Sequence, residues 1–189
     1  ASDKPLLKQF LNPNIENKKV AGVVGDFGFG IVNKTGRIDT LKLVKAYRKF
    51  LMEHNLIRFE KFEHLKLNLS SDTIAYKNIA CTNVVFCEGF GVKENPFFND
   101  LPLAEAKGEL ITIHAPDLNI DFLLKSTLFL IPLGSNKYKV GATFNHTDKT
   151  TAPTETGKLE LIEKLKKVID VPYKIMAQSA GIRPTTSKS

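Results

Sequence analysis

The sequence predicts an α+β protein: a mostly antiparallel sheet flanked by helices, preceded by part of a doubly wound domain. Two segments carry apolar residues at helical spacing, and residues 101–189 contain several runs that alternate with a period of two. One continuous apolar run follows the first helix, as buried strands of parallel sheets do. Hydrophobic residues make up 42% of the 189 residues, so the chain can bury a sizeable core.

The first thirty residues are predicted to form a loop and then a strand. Residues 1–20 are polar and contain turn formers. Gly22, Gly25, Gly28 and Gly30 follow, but a dinucleotide-binding turn needs G-x-G-x-x-G between a strand and a helix. Because this stretch leads into a strand, we favour a glycine-bearing strand that passes close to another part of the chain. A phosphate-binding loop is the less favoured alternative.

The stretch RIDTLKLVKAYRKFLMEHN predicts the first helix, with Asp39 or Thr40 as its N-cap and Asn55 at its end. Leucines at alternate positions from 65 to 69, a Ser-Ser-Asp turn and a second short run predict a hairpin. NVVFCEGFG, residues 83–91, is predicted to be a buried strand, which would belong to a parallel sheet.

The second half predicts antiparallel strands in GELITIHA, TLFLIPLG and YKVGATFN, with GSNK as a hairpin turn. TAPTETGKLELIEKLKKVI predicts a second amphipathic helix. VPYKIMAQSAGIRP is the last predicted strand. The face of the second helix that we expect to be buried consists of Leu159, Ile162, Leu165 and Ile169.

The charge and the cysteines limit the partners. Net charge is +7, and an excess of cations favours anionic ligands. The basic residues are spread along the chain without interleaved aromatics, so no nucleic-acid partner is expected.

No apolar run is long enough to span a membrane, and no metal-ligand spacing is visible. If Cys81 and Cys87 share one strand they lie roughly 20 Å apart, too far for a disulfide, which favours the cytoplasm.

Several stretches, in order, resemble flavoproteins of the D-amino-acid oxidase and glycine oxidase superfamily. GRIDTLKLVKAYRKFL resembles the family's helix after a G-x-x-D segment, and NVVFCEGFG its glycine-ended strand beside the flavin nucleotide. LPLAEAKGELITI resembles the P-x-x-x-K/R-G-E/Q segment that leads into the substrate domain. FLIPLGSNKYKVGAT and AGIRPTT resemble a strand pair and the G-x-R-P segment. The similarity extends from about Gly28 to Thr186.

The resemblance implies an FAD-dependent oxidoreductase that oxidises a small amine or amino acid by hydride transfer to flavin. It implies that Gly89, Gly91, Gly181 and Pro184 contact the cofactor, because glycine permits close approach and proline restrains the backbone. Arg183 is implied to bind the substrate, since its planar fork suits a carboxylate, although contact with the flavin is the open alternative. No residue is implied to be catalytic.

One departure from the family concerns the substrate wall. Many amino-acid-oxidising relatives have Y-L-V-P-R where this chain has FLIPL. Phe129 therefore replaces a tyrosine and Leu133 a basic residue, which removes a hydroxyl and a charge. We expect Phe129 to line a more apolar substrate site, suited to a bulkier or less polar amine than the standard small amino acids.

The resemblance also implies that the chain is an internal piece of a longer enzyme. We assign 1–30 to an initial loop and glycine-bearing strand, 31–100 to part of the FAD domain and 101–189 to the substrate-binding sheet. FAD is expected in the parent protein but not on this chain, which we expect to be inactive because it lacks the phosphate-binding turn. Two alternatives stay open: a non-enzymatic module that binds small ligands or proteins, and a flavoprotein that modifies tRNA nucleosides.

Overall fold

The computed structural model describes residues 9–16, 19–70 and 73–186, with the side chain of residue 13 left out. The chain divides into two compact units. The first comprises Gly30–Val85 with the described residues of Ala1–Ile15, and the second comprises Glu16–Phe29 with the described residues of Phe86–Ser189. The predicted α+β class with antiparallel sheets is confirmed.

The first unit contains one long helix and short strands. Helix α1 (Thr40–Glu53) is capped by Asp39, whose carboxylate accepts a hydrogen bond from the backbone N–H of Lys42 at 3.0 Å, so the predicted helix is confirmed. None of its residues is buried, although its apolar positions recur at helical spacing. The elements are β1 (Leu11–Glu16) paired with β2 (Phe29–Val32), α1 (Thr40–Glu53), a 3-10 helix (His64–Lys66), and the meander β3 (Leu67–Leu69), β4 (Ile74–Tyr76) and β5 (Ile79–Cys81).

The second unit is built on a five-stranded sheet, in the order β10 (Lys174–Thr186), β6 (Leu103–His114), β9 (Lys137–Gly141), β8 (Phe129–Gly134) and β7 (Leu124–Lys125). Every pairing in it is antiparallel. Ser135 and Asn136 both have positive φ, which makes the predicted GSNK turn a tight hairpin connection. The elements are a 3-10 helix (Gly89–Glu94), β6 (Leu103–His114), β7 (Leu124–Lys125), β8 (Phe129–Gly134), β9 (Lys137–Gly141), α2 (Glu155–Leu165) and β10 (Lys174–Thr186).

The core of the second unit lies on one side of this sheet, which we call the rear face. It carries alternate residues of β6, such as Ile111 and Ile113, which pack with buried Leu161 and Leu165 of α2. The opposite side, the front face, carries Ala106, Gly108, Leu110 and the other residues of β6 that alternate with these. Helix α2 thus buries Leu161 and Leu165, while Leu159, predicted to be buried, is 53% exposed.

The buried strand predicted at residues 83–91 is wrong. The chain is irregular from residue 82 to 88 and then forms the 3-10 helix, and Val85 is 82% exposed. Phe86 packs on the rings of Phe97 and Phe98 at 6.1 and 5.8 Å between centroids, so the apolar residues find partners in the following turn. Cys87 therefore does not share a strand with Cys81, and both cysteines are free.

Two further predictions near the N-terminus need correction. Within the segment predicted to be a loop, Leu11–Glu16 forms a strand, while residues 1–8 lie outside the described part. The glycine-rich stretch, predicted to be a strand, is a series of turns as far as Gly28, and it leads into β2, which contains Gly30. The expected close approach is present at Gly22, where a Cβ would lie 2.7 Å from Val171.

A buried ion pair ties β6 to the chain that follows the hairpin. The side chain of Lys107 is 1% exposed, and its Nζ donates to Asp148 Oδ2 at 2.6 Å, Thr150 Oγ1 at 3.2 Å and the Ala152 carbonyl at 2.5 Å. These three acceptors satisfy the three donors of an ammonium group. Hydrogen bonds from Lys107 and Thr150 lower the pKa of Asp148 from 3.8 to about 2.

The two leucines of α2 provide a test of the packing. We expect Leu165→Ala to lower the free energy of unfolding of the second unit by about 2–5 kcal/mol, because it empties a fully buried position. The control is Leu159→Ala on the exposed side of the same helix, for which we expect a change within about 0.5 kcal/mol. Denaturant titrations of both variants measure this, and equal losses would contradict the assigned helix face.

Acid unfolding tests the Lys107–Asp148 pair. A carboxyl whose folded-state pKa is depressed stabilises the fold above its unfolded pKa and loses that contribution as pH falls through the folded value. We expect the stability difference between the wild type and Asp148→Asn to be full above about pH 4 and to shrink towards pH 2. Denaturant melts at several pH values measure it; a difference that stays constant across this window would show that Asp148 is not held ionised by Lys107.

Candidate functional site

Three of the residues predicted to contact substrate or cofactor share the front face of the five-stranded sheet. Arg183 pairs with Ala106 and Gly181 with Gly108, and both partners lie on the front face. Phe129 pairs with Gly141, which itself pairs with Leu110 on the same face. Directly opposite residues of paired strands point to the same side of a sheet. The fold therefore brings Arg183, Gly181 and Phe129 to one surface.

The guanidinium of Arg183 lies over Gly108 of β6. A Cβ at residue 108 would overlap with this group, so only glycine leaves room for it there. Its Nη2 donates a long hydrogen bond of 3.4 Å to the carbonyl of Thr143, and its Cζ lies 5.7 Å from the ring centroid of Phe144. Within the described ranges, no carboxylate lies within ion-pair distance of Arg183, so the half-buried cation retains donors for an anion.

Gly108 and Gly181 form a strip without side chains of its own, which the Arg183 guanidinium covers at Gly108 and which is open at Gly181. A Cβ built on Gly181 meets nothing within 4 Å, and its cross-strand partner is Gly108. A flat aromatic ring could therefore approach the β10 backbone closely at this point. The geometry fits the planar ring system that the sequence predicts for this face. Pro184 follows on β10 opposite Glu105 and is exposed.

Phe129 lies in an apolar row next to this strip. It pairs with Gly141, which in turn pairs with Leu110. A Cβ on Gly141 would collide with the Leu110 side chain and lie 3.0 Å from the Phe129 ring. The absence of a side chain at this position lets Phe129 and Leu110 approach each other across β9, which produces an apolar row on the front face.

Gly89 and Gly91 lie elsewhere, in the 3-10 helix, and not at the end of a strand as predicted. Gly89 has a φ of +59° with open space around it, and Gly91 meets only the Glu88 side chain, at 3.9 Å. Buried Asn95 closes this helix by donating to Glu88 at 2.8 Å. The helix packs against β6 and β10, the two strands that carry Gly108 and Gly181.

Behind Gly108, the rear face carries a second buried charge. The Glu109 carboxylate accepts hydrogen bonds from the backbone N–H and hydroxyl of Thr154, at 2.8 and 2.7 Å, and from Gln178 at 2.8 Å. Burial would raise the pKa of Glu109, but these hydrogen bonds and the Lys107 charge 3.7 Å away together hold it below its usual value. Glu109 is therefore an ionised group of the framework that joins β6, β10 and α2.

Sequence reasoning did not identify Phe144, the aromatic partner of Arg183, or the acceptors of Lys107. These contacts leave no periodic signal in the sequence because they join residues far apart in the chain. Arg183 and Thr143 are separated by 40 positions, and Lys107 and Asp148 by 41. In the described ranges, no group of His, Cys, Asp or Glu could hold a metal ion. The same ranges contain no helix with the length and hydrophobicity of a membrane span.

Solved structures share this fold at low sequence identity. Glycine oxidase from Bacillus cereus aligns with 85% of this chain and 48% of its own, at 15% identity and a TM-score of 0.66. Iminodiacetate oxidase from Chelativorans aligns with 80% of this chain and 44% of its own, at 16% identity and a TM-score of 0.57. Glycine oxidase from Geobacillus kaustophilus aligns with 66% of this chain and 36% of its own, at 20% identity and a TM-score of 0.51.

A curated relative is the tRNA 5-methylaminomethyl-2-thiouridine biosynthesis bifunctional protein MnmC of Campylobacter jejuni, which is 23% identical over 133 residues. That alignment covers 67% of this chain and 22% of the relative. The chain therefore spans between about a fifth and a half of the length of these proteins. The DAO family of FAD-dependent oxidoreductases matches residues 3–189, and the chain belongs to this family.

Proposed function

We propose that this chain is the substrate-side portion of an FAD-dependent oxidoreductase that oxidises an amine or amino acid by hydride transfer to flavin. The front face of the five-stranded sheet forms one wall of the substrate pocket in this proposal. The activity belongs to the longer parent protein, which we place in the cytoplasm. The chain alone is proposed to be inactive and free of flavin, because its glycine-rich stretch leads into a strand and does not supply helix N–H groups to a pyrophosphate.

The observation that carries the proposal is the guanidinium of Arg183. It is half-buried on the front face and has only a distant carbonyl and an aromatic ring as partners in the described ranges. A cation in that position has lost part of its hydration without gaining a counter-ion, so an anion that arrives there is stabilised. A substrate carboxylate, bound by two parallel hydrogen bonds, meets this need.

FAD, when bound, supplies the acceptor for the hydride equivalent. Gly181 would let its ring approach β10, and Pro184 would hold the strand rigid beside it. Gly89 and Gly91, in the 3-10 helix that packs on β6 and β10, would permit close approach of another part of the cofactor. The protein's own contribution is to hold the reacting carbon of the substrate in place and to keep water away from it.

The apolar row restricts the substrate class. Phe129 and Leu110 adjoin the strip that holds Arg183 and offer no hydrogen bond to a polar side chain. A substrate that extends a hydrocarbon or aromatic group towards this row would bury apolar surface there. We therefore propose an amino acid with an apolar substituent, or an N-alkylated one, as the preferred substrate.

The role of Arg183 is tested in the flavin-loaded parent protein by screening amines and amino acids for flavin bleaching without oxygen. We expect Arg183→Met to lower kcat/KM for carboxylate-bearing substrates by about ten- to a hundredfold, since a hydrogen bond to a charged group contributes about 1.5–3 kcal/mol. Amines without a carboxylate should be affected much less. Arg183→Lys should show an intermediate loss because it keeps the charge but not the fork.

The outcomes separate the two possible contacts of Arg183. If Arg183→Met releases flavin and leaves the preference for carboxylates unchanged, the arginine contacts the cofactor and not the substrate. If neither flavin affinity nor substrate preference changes, the proposed pocket is wrong. Gly108→Ala is the matched positional variant, because its Cβ must displace the guanidinium without altering its charge.

A second candidate function is the modification of a tRNA nucleoside, which a basic row on the front face favours. Lys174 pairs with His114, and His114 pairs with Lys137, so the three side chains share one row and one face. Lys139 follows in the next row, opposite Thr112. In the described ranges none of the three lysines takes part in an ion pair, and a partial match to a tRNA-modification protein exists.

Salt-dependent RNA binding tests this second candidate. We expect the triple variant Lys137→Ala, Lys139→Ala and Lys174→Ala to bind unmodified tRNA more weakly and to reduce the slope of log K against log salt by about 2–3, one for each lost phosphate contact. The control replaces Lys158 and Lys164 of α2 and its C-cap residue Lys166, which are paired with Glu155, Glu160 and Glu163. Equal weakening in both triple variants would contradict a defined RNA surface.

A further inference from the structure

The contacts of Arg183 come from one short segment of chain. Thr143 supplies the carbonyl that accepts from its Nη2, and Phe144 supplies the ring 5.7 Å from its Cζ. Both residues follow β9 and belong to a stretch that continues alongside β6. The position of the guanidinium therefore depends on how firmly this stretch is attached to β6.

Backbone hydrogen bonds hold the stretch on both sides of Phe144. The N–H of Thr143 donates to the Glu109 carbonyl at 3.2 Å, and the Glu109 N–H donates to the Thr143 hydroxyl at 2.9 Å. Lys107 and Asn145 exchange backbone hydrogen bonds at 2.7 and 2.9 Å. Phe144 is thus fixed between two residues that are paired with positions 107 and 109 of β6.

The far end of the stretch is held by the buried ion pair. The Asn145 side-chain oxygen accepts from the backbone N–H groups of Thr147 and Asp148 at 2.8 and 3.0 Å, which forms a turn. The turn delivers the Asp148 carboxylate to Lys107, which is buried and has no access to water as an alternative partner. Loss of this carboxylate would leave the ammonium hydrogen-bonded to neutral acceptors only, with the Glu109 carboxylate 3.7 Å away and already bound by Thr154 and Gln178, so the geometry of the turn depends on the pair.

We infer that Lys107 and Asp148 are positioning residues for Arg183. Their ion pair on the rear face holds residues 143–148 against β6, and this stretch fixes the guanidinium on the front face. The inference rests on the proposed function, in which Arg183 binds a substrate carboxylate. Neither Lys107 nor Asp148 touches the substrate; they act through Thr143 and Phe144.

The test compares benzoate with benzamide, two probes of the same shape that differ in charge, by calorimetry on the flavin-loaded parent protein. We expect the wild type to prefer benzoate and Arg183→Met to lose this preference. Asp148→Asn should reduce the preference about tenfold while benzamide affinity stays unchanged, and Asp148→Glu should restore most of it. The control Glu163→Gln removes the carboxylate of an exposed ion pair with Lys166 and should leave both affinities unchanged.

Amide hydrogen exchange provides a second measurement that does not depend on a ligand. In Asp148→Asn we expect faster exchange at the N–H groups of Thr143 and Asn145, which donate to β6, and no change in α2 beyond its N-cap. The same comparison in Lys107→Met covers the other partner, provided that this variant folds. Unchanged exchange at both positions overturns the inference.

The outcomes for the two proposals are distinct. If the wild type shows no preference for benzoate, the proposed function fails and the positioning role fails with it. If Arg183→Met abolishes the preference but Asp148→Asn keeps it, the proposed function stands and the inference alone is overturned. Equal losses of benzoate and benzamide affinity in Asp148→Asn would indicate a general structural role and also contradict the inference.

Discussion

The second unit depends on the neutralisation of one buried ammonium group. Lys107 lies in the middle of β6 with 1% of its side chain exposed, and a charge in that position is stable only when it is paired and fully hydrogen-bonded. Its acceptors, Asp148, Thr150 and Ala152, all lie in the connection between β9 and α2. The requirement for these acceptors therefore fixes the path of that connection and brings Thr154 to the start of α2, where it caps the helix and binds Glu109.

Because successive side chains of a strand point to opposite faces, three consecutive residues of β6 give its two faces different chemical character. Lys107 and Glu109 point to the rear and carry buried charge, while Gly108 between them points forward and leaves room for Arg183. A framework of ionised groups thus stands directly behind the surface that we propose for substrate binding. Because the framework also includes Gln178 of β10, both strands that carry the glycine strip, β6 and β10, are joined to the same network.

The sequence identified most elements of the fold because they have strong local patterns. Helix α1 and its Asp39 cap, the GSNK hairpin and the long strands were all predictable from spacing and turn chemistry. The irregular structure of residues 83–91 was not predictable. Phe86 packs on the turn that follows, and an apolar run looks the same in the sequence whether it packs on a turn or forms a buried strand. Of the residues that the sequence proposed for a site, Arg183, Gly181 and Phe129 share the front face. The contacts of Arg183 with Phe144 and of Lys107 with Asp148 were not predictable, because they join residues far apart in the chain.

Two of the glycines on the front face, Gly108 and Gly141, explain how few residues form the surface that we propose for substrate binding. Long side chains normally stand away from the backbone of a sheet, but Gly108 leaves room for the Arg183 guanidinium close to the backbone of β6. Gly141 does the same for Phe129 and Leu110 across β9. The front face therefore presents a cation at one position and an apolar row at another, both held close to the backbone. A ligand with a carboxylate and a hydrocarbon part would find a partner for each on this face. Because side chains held close to the backbone lose little further freedom on binding, less of the interaction energy is spent on ordering them.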